Sequence, residues 1–130
     1  SMELLDEIEK VAAAHDLVQD VLLEVNVGEE EAKSGFAPAD TERAAQAALS
    51  KPHVRMLGLM TIPPAHADRE ENMRYFKEVR ALYVDINEKM FHNSFKYLSM
   101  GMSGDFADAI RCGANMVRVG TAIFGARNYT

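Results

Sequence analysis

Apolar residues recur along the chain at two different spacings, and the alternation of these spacings predicts the order of the secondary-structure elements. Over residues 3–15 the apolar positions are three and four residues apart, as on one stripe of a helix: Leu4, Leu5, Ile8, Val11 and Ala12. The next run, VLLEVNV over residues 21–27, is short, rich in β-branched residues and mostly apolar on both faces. It therefore predicts a buried parallel strand.

The middle of the chain repeats this order with clearer boundaries. A helix is predicted over residues 40–50, with Asp40 as its N-cap, ending before a proline that cannot continue the hydrogen-bond ladder. The run VRMLGLMTI over residues 54–62 predicts a strand, which the following Pro-Pro pair ends. The longest helix is predicted over residues 68–92, on a third apolar stripe: Met73, Phe76, Val79, Tyr83, Ile86 and Met90.

The last part of the chain predicts two further strands around a short helix. These are a strand over residues 97–102, a helix over 104–112 with Gly113 at its C-terminal end, and a strand over MVRVGTAIFG, residues 116–125. Strands and helices that alternate without hairpin signals predict an α/β fold with a parallel sheet covered by helices. Four such strands fit a small open sheet or half of an eight-stranded barrel, which typically needs about 250 residues.

Composition excludes several functional classes. The 130 residues predict one domain, and the formal net charge of −6 without a Lys/Arg cluster argues against a nucleic-acid partner. A stretch of about eighteen apolar residues, as a membrane span requires, is absent from the sequence. Cys112 is a single cysteine and the first residues are acidic, so we expect a cytoplasmic protein. Ser1 resembles a residue left by tag cleavage and is set aside.

Small polar residues stand where the predicted strands end, which is where parallel α/β folds bind ligands. They are Asn26, Thr61, Ser103 and the pair Gly120 and Thr121. None of them is a carboxylate, so the set favours hydrogen bonding to an anion over the activation of water by paired acids.

The stretch LSMGMSGDFADAI, residues 98–110, carries the sharpest hypothesis. We expect Ser103 to cap the short helix, leaving the amides after Gly104 free to bind a phosphate, with Gly120 and Thr121 completing a divided cup. The alternative is structural, with Ser103 as a simple cap and Gly120 relieving crowding. Arg118 lies inside an apolar run, so its charge either extends to solvent or meets a ligand.

These segments together resemble a known family. LLEVNVGEEEAKSGF, RMLGLMTIPP, LSMGMSGDFADAI and MVRVGTAIFGAR look like successive motifs of the YggS/PROSC family of pyridoxal phosphate homeostasis proteins, relatives of the alanine racemase barrel domain. The match runs in order from about residue 21 to residue 127.

The resemblance implies a parallel (β/α) TIM-barrel fold that binds pyridoxal 5'-phosphate as a carrier or buffer, without established turnover. It implies that Ser103, Gly120 and Thr121 hold the phosphate and that Arg118 faces the pyridine nitrogen. An arginine there keeps the nitrogen unprotonated and weakens the cofactor as an electron sink. A cup that forms without the rest of the family's site could still hold phosphate or sulfate.

One family feature is missing from these 130 residues: the Schiff-base lysine on the first strand of the N-terminal half. The resemblance therefore implies about four βα units, the C-terminal half of a barrel, whether the truncation is natural or artificial. A homodimer, or the missing N-terminal half, would then cover the open sheet edges. Lys33, in a loop after a strand, is the local candidate for covalent attachment, although a lysine beside EEEA is typical of a solvated loop.

Other interpretations stay open. The chain could be a self-associating half-barrel without cofactor activity. Racemase activity would require an anchored lysine and a tyrosine partner from a second domain, which we do not find in the sequence. The histidines, His15, His53, His66 and His92, lack metal-ligand spacing and are interpreted as surface residues, and Cys112 as an inert packing residue.

Overall fold

Helices and strands alternate along the whole computed structural model, which describes residues 1–128. The elements are α1 (Met2–Ala14), β1 (Gln19–Val25), α2 (Pro38–Leu49), β2 (Val54–Thr61), α3 (Arg69–Met90), β3 (Tyr97–Met102), α4 (Phe106–Arg111), β4 (Met116–Arg118) and α5 (Thr121–Phe124). The four strands form one parallel sheet in the order β1-β2-β3-β4. The predicted α/β class and parallel sheet are confirmed.

The middle of the sheet depends on a glycine at a close approach between strands. Gly58 of β2 is the Cα partner of Tyr97 at the start of β3. Its φ is +154°, and a Cβ atom there would lie 1.7 Å from the Tyr97 carbonyl oxygen. A larger residue at position 58 would therefore push β3 away from β2.

The two faces of the sheet differ in what covers them. Helices α2, α3 and α4 pack against one face, and the side chains between them and the strands form the core. The largest fully buried apolar side chains are Phe76, Leu59, Ile86, Leu98, Met100, Val25 and Val79. The opposite side, called the inner face below, carries half-buried side chains that alternate with the core positions: Leu22, Glu24, Leu57, Met60, Met116 and Arg118.

Two helices begin at side-chain caps. Asp68 caps α3 in a capping box, in which its side chain accepts from the Glu71 amide and the Glu71 side chain accepts from the Asp68 amide. The Ser1 hydroxyl oxygen accepts from the Leu4 amide at 3.2 Å and caps α1. Ser1, which the sequence analysis set aside, therefore takes part in the fold.

Two predicted boundaries in the first half were wrong. Helix α2 begins at Pro38 with Ala37 as its N-cap, so Asp40 lies in the first turn rather than at the cap. Proline suits the first helical position because the amide it lacks has no partner there. Strand β1 ends at Val25, two residues early, because the Asn26 side chain bonds both the amide and the carbonyl of Glu30 and turns the chain.

The final predicted strand was also too long. Strand β4 has three residues, and the stretch TAIF that follows is the short helix α5 rather than an extension of the strand. Within residues 1–128, no helix combines the length and the apolar character needed to cross a membrane.

Candidate functional site

Ser103 lies directly after β3, and its hydroxyl oxygen binds the start of α5. The oxygen accepts hydrogen bonds from the amides of Gly120 and Ala122, each at 3.2 Å. The prediction that Ser103 caps α4 was wrong, because the N-cap of that helix is Asp105, whose carboxylate accepts instead from the Met102 amide at 2.7 Å. Backbone donors thus converge on one oxygen atom, an arrangement that also suits an oxyanion.

Ser103 also lines a cavity of about 510 Å³. We call it the anion cup; its lining is Met102, Ser103, Gly104, Gly120, Thr121, Phe124, Gly125 and Arg127. A Cβ atom added at Gly104 or at Gly120 would meet no atom of the described residues within 4 Å. The cup therefore brings together three of the four predicted site residues, with open space in front of two glycines.

Arg118, the fourth predicted residue, extends away from the cup along the inner face. Its Nη2 atom donates to the Thr61 carbonyl at the end of β2, at 2.9 Å, so the side chain reaches past β3. Its Nε atom is buried and has no hydrogen-bond partner among residues 1–128. Burial lowers the pKa of the guanidinium, while the negative charges of Glu24 and Asp105 act in the opposite direction. The site thus holds a cation whose buried Nε–H has no partner among the described residues.

The other polar strand ends have structural roles. Asn26 forms the turn to Glu30 described above. The Thr61 side chain is fully buried, and its hydroxyl donates to the Val25 carbonyl at 2.7 Å, which joins the ends of β2 and β1. Neither residue lines the anion cup, and both side chains make hydrogen bonds within the protein.

Lys33 joins two loops at the same end of the sheet. Its Nζ atom donates to the Pro63 carbonyl at 3.1 Å and lies 3.9 Å from Glu30 Oε1. The side chain is about one-third exposed, at 32%. It is therefore more constrained than the solvated loop lysine that its neighbours in the sequence suggested.

The histidines and the cysteine add no metal centre within residues 1–128, where no group of three His, Cys, Asp or Glu side chains could hold an ion. His53 is less free than the surface interpretation implies: its Nδ1 lies 2.8 Å from Glu9 Oε1 and its side chain is 32% exposed. Cys112 is buried with its sulfur 3.9 Å from that of Met73, and burial raises the pKa of the thiol. Both facts agree with packing rather than reactivity.

A family model for the alanine racemase N-terminal domain matches residues 1–128. The chain belongs to the alanine racemase N-terminal domain family. The resemblance inferred from the sequence motifs is thereby confirmed, and the four βα units amount to half of the eight in a full (β/α)8 barrel.

Three relatives place the chain within this family. The pyridoxal phosphate homeostasis protein of Aquifex aeolicus is 45% identical over 126 residues, which are 97% of this chain and 55% of that protein. The crystal structure of an unknown protein from Bifidobacterium adolescentis has a TM-score of 0.89 and 39% identity, over 95% of this chain and 50% of the other. PipY of Synechococcus elongatus, solved with PLP bound, has a TM-score of 0.83 and 26% identity, over 96% and 57%.

The relatives are longer than this member of the alanine racemase N-terminal domain family. The chain spans about half the length of the curated relatives it matches, as in the 55% of the Aquifex aeolicus protein that it covers.

The sequence analysis did not single out Arg127, which lines the anion cup, or the charged residue Glu24. Glu24 lies on β1 between the core residues Leu23 and Val25, on the inner face. Its carboxylate accepts a hydrogen bond from the Ser34 hydroxyl at 3.0 Å. The signal was present in VLLEVNV, where a charge interrupts an apolar strand in the same way as Arg118 does.

Proposed function

We propose that this chain binds pyridoxal 5'-phosphate and belongs to a protein that carries or buffers the cofactor rather than turning over an amino acid. The observation behind the proposal is that the amides of Gly120 and Ala122 converge on Oγ of Ser103, a residue that lines the anion cup. Two relatives support the proposal. The Aquifex aeolicus protein is named a pyridoxal phosphate homeostasis protein, and PipY was solved with PLP bound.

The residues of the cup suit the phosphate. Ser103 and Thr121 offer hydroxyls, Gly120 offers an amide, and the empty space before Gly104 and Gly120 lets an anion approach the backbone. The first turn of α5 adds the positive end of its peptide dipoles. A phosphate oxygen in the cup would share or replace the amide hydrogen bonds that Ser103 now accepts.

Arg118 suits the ring of the cofactor. Its buried Nε–H has no acceptor within the described part of the chain, and a pyridine nitrogen is an acceptor that would satisfy it. When bound, the cofactor supplies an aldehyde and an electron-withdrawing ring. A guanidinium beside the nitrogen disfavours its protonation, which reduces the electron-withdrawing power of the ring and favours carriage over catalysis.

We propose further that the 130 residues form one domain, the C-terminal half of such a barrel, and that binding here is non-covalent. Lys33 is held by the Pro63 carbonyl and lies beside Glu30, so its amine is directed to protein oxygens. Borohydride reduction of the chain saturated with pyridoxal phosphate, followed by mass spectrometry, tests this point. We expect no stoichiometric adduct, and a single adduct at Lys33 would contradict non-covalent binding.

The phosphate assignment is tested by equilibrium binding. We expect Ser103→Ala to weaken pyridoxal phosphate binding about tenfold, because a hydrogen bond to a charged group is lost. The same variant should bind pyridoxal, which lacks the phosphate, as well as wild type does. Ser50→Ala is a matched control, since its hydroxyl donates to the Ala47 carbonyl at the end of α2. If wild type binds no pyridoxal phosphate, or if Ser103→Ala binds it normally, the assignment fails.

A second candidate function is self-association, which an apolar groove favours. The groove has a volume of about 650 Å³ and lies between α1 and β1, an edge strand of the described sheet. Its apolar lining is Ile8, Val11, Ala12, Leu17 and Val21. A second copy could cover it by pairing its own edge strand β4 with β1, giving eight strands in two chains. Light scattering tests this: self-association predicts twice 14.4 kDa, and a stable monomer contradicts it.

A further inference from the structure

Glu24 and Arg118 place opposite charges on the same face of the sheet. Leu23 and Val25, on either side of Glu24, are 5% and 1% exposed and point into the helix-covered core. Side chains alternate along a strand, so Glu24 points to the inner face, where Arg118 also lies. These two residues are on the edge strands β1 and β4, at opposite sides of the sheet.

The side chain of Arg118 extends across the sheet from β4, past β3, to β2. Its Nη2 donates to the carbonyl of Thr61, at the last position of β2. The neighbouring residue, Met60, is the Cα partner of Glu24. The guanidinium group is therefore held at the end of β2, the strand next to β1, one residue beyond the pair formed by Met60 and Glu24.

Two carboxylates act on the Arg118 charge, and their other contacts differ. Asp105 is already occupied on both oxygens, with Oδ1 accepting from the Met102 amide and Oδ2 from the Asn72 side chain. Glu24 accepts from the Ser34 hydroxyl on Oε2. Among residues 1–128 no hydrogen bond or ion pair joins Glu24 to Arg118, so the Glu24 carboxylate acts on the half-buried guanidinium through its charge, and a half-buried cation needs such a countercharge. Glu24 also opposes the lowering of the Arg118 pKa by burial.

The loop after β1 holds Glu24 in place. The Phe36 amide donates to the Glu24 carbonyl at 2.9 Å, so the loop returns to the strand it left. Gly35 has a φ of +105°, and a Cβ atom there would lie 3.0 Å from Glu24 Cγ. The Gly35 backbone thus leaves room only for a glycine beside the Glu24 side chain, while the hydrogen bond from Ser34 restricts the carboxylate itself.

We propose that Glu24 is a positioning residue for Arg118: its carboxylate, fixed by Ser34, orients the guanidinium so that the Nε–H faces the ligand. The part that concerns the ligand rests on the proposed function, whereas the pairing of the two side chains does not. Glu24 thereby sets how strongly the site holds a ring acceptor, independently of the phosphate in the anion cup.

The first experiment uses the ligand-free chain, so that it stands even if the cofactor does not bind. The hydrogen-exchange rate of the Arg118 Nε–H group is measured by NMR, with Arg118→Lys to assign its signal. We expect Glu24→Gln to raise the rate about tenfold, because the guanidinium is freed to open to water. Ser34→Ala should raise it less, since the carboxylate stays but loses its hydroxyl donor. An unchanged rate in folded Glu24→Gln would overturn the proposal.

Asp20 provides the matched control. It lies on the same strand and face, four residues before Glu24, and its carboxylate binds Arg55 at 2.6 and 3.1 Å. Asp20→Asn therefore removes a comparable charge and ion pair at the amino end of β1. We expect it to leave the exchange rate of Arg118 unchanged, and an equal rise in both variants would point to general loosening of the sheet and contradict a specific role.

The second experiment is a double-mutant cycle on pyridoxal phosphate affinity. We expect Glu24→Gln to weaken binding about fivefold in the wild-type background, as for two opposite charges on partly exposed side chains. In an Arg118→Gln background the same change should not weaken binding, because the group that Glu24 orients is gone. Equal losses in both backgrounds would overturn the proposal. Absence of binding by wild type would overturn the proposed function, while the exchange measurement would still decide the pairing.

Discussion

The two faces of the sheet carry different kinds of side chains, and these side chains serve different purposes. The helix-covered face buries apolar side chains almost completely, as at Leu59 and Leu98, both 0% exposed. The inner face, in contrast, carries half-buried charges at its carboxyl end, Glu24 and Arg118. Apolar burial stabilises the fold, whereas a partly buried charge costs solvation unless it meets a partner. The contrast separates residues that hold the sheet from residues that can hold a ligand.

The largest expected effect is on the free energy of unfolding, and it distinguishes two leucines of the same strand. Leu59 is fully buried on the helix-covered face, and Leu57 is half-buried on the inner face. We expect Leu59→Ala to lower the free energy of unfolding by about 3 kcal/mol, because it leaves a cavity in the packed core, and Leu57→Ala by about 1 kcal/mol. Urea denaturation of the 130-residue chain measures both. Equal losses would show that the inner face is packed as tightly as the core.

A smaller effect separates folding from binding at the carboxyl end of the sheet. Asp68 caps α3 there in its capping box but contacts no residue of the anion cup in the hydrogen bonds described. We expect Asp68→Ala to lower the free energy of unfolding by about 1 kcal/mol. Pyridoxal phosphate affinity, measured on the folded variant, should stay unchanged. A loss of affinity as large as that of Ser103→Ala would mean that the two roles are not separate.

The smallest effect concerns a polar contact of the helix layer, between Glu9 of α1 and His53. Burial alone raises the pKa of Glu9, but the hydrogen bonds and charge of His53 outweigh it, so the pKa lies below its ordinary value. A carboxyl group with a lowered pKa contributes stability above its unfolded pKa and loses that contribution as the pH falls through the folded pKa. The contribution is therefore present at neutral pH and lost below about pH 4.

We expect Glu9→Gln to lower the melting temperature at neutral pH by a small amount, and the difference from wild type to disappear near pH 3, about one unit below the ordinary glutamate pKa. Glu7→Gln on the same helix is the control, because Glu7 is exposed and lies 3.9 Å from Lys10 in a solvent-exposed pair. A Glu9→Gln difference that persists unchanged in acid would show that the carboxylate charge does not matter.

Most of the fold could be predicted from local pattern. Helices α1 and α3 and strands β2 and β3 follow the apolar spacing to within two residues, because each buries a face against the same core. The boundary at Asp40 was wrong because proline competes with aspartate for the start of a helix, and here Pro38 prevails.

The parts that could not be predicted depend on contacts between distant segments. Helix α5 was expected to be a strand because TAIF is apolar and contains β-branched residues. Its start is instead fixed by a distant contact, since the amides of Gly120 and Ala122 bind the hydroxyl of Ser103, which precedes Gly120 by seventeen residues. The same contact explains why Ser103 was assigned to the wrong helix. Ser103, Gly120 and Thr121 were nonetheless correctly expected to lie together, since all three follow neighbouring parallel strands. The Glu24 carboxylate was passed over because VLLEVNV was interpreted from its apolar residues as a buried strand, although Arg118 was noted as a charge inside another apolar run.

The most direct test of the account is an amide and arginine side-chain NMR titration of the chain with pyridoxal phosphate. A cofactor site at this end of the sheet predicts saturable chemical-shift changes at the Arg118 Nε–H group and at the amides of Ser103, Gly104, Gly120 and Thr121. Inorganic phosphate should reproduce the changes at these four amides but not the change at Arg118. Shifts that never saturate, or that are confined to surface lysines, would contradict a cofactor site at the carboxyl end of this sheet.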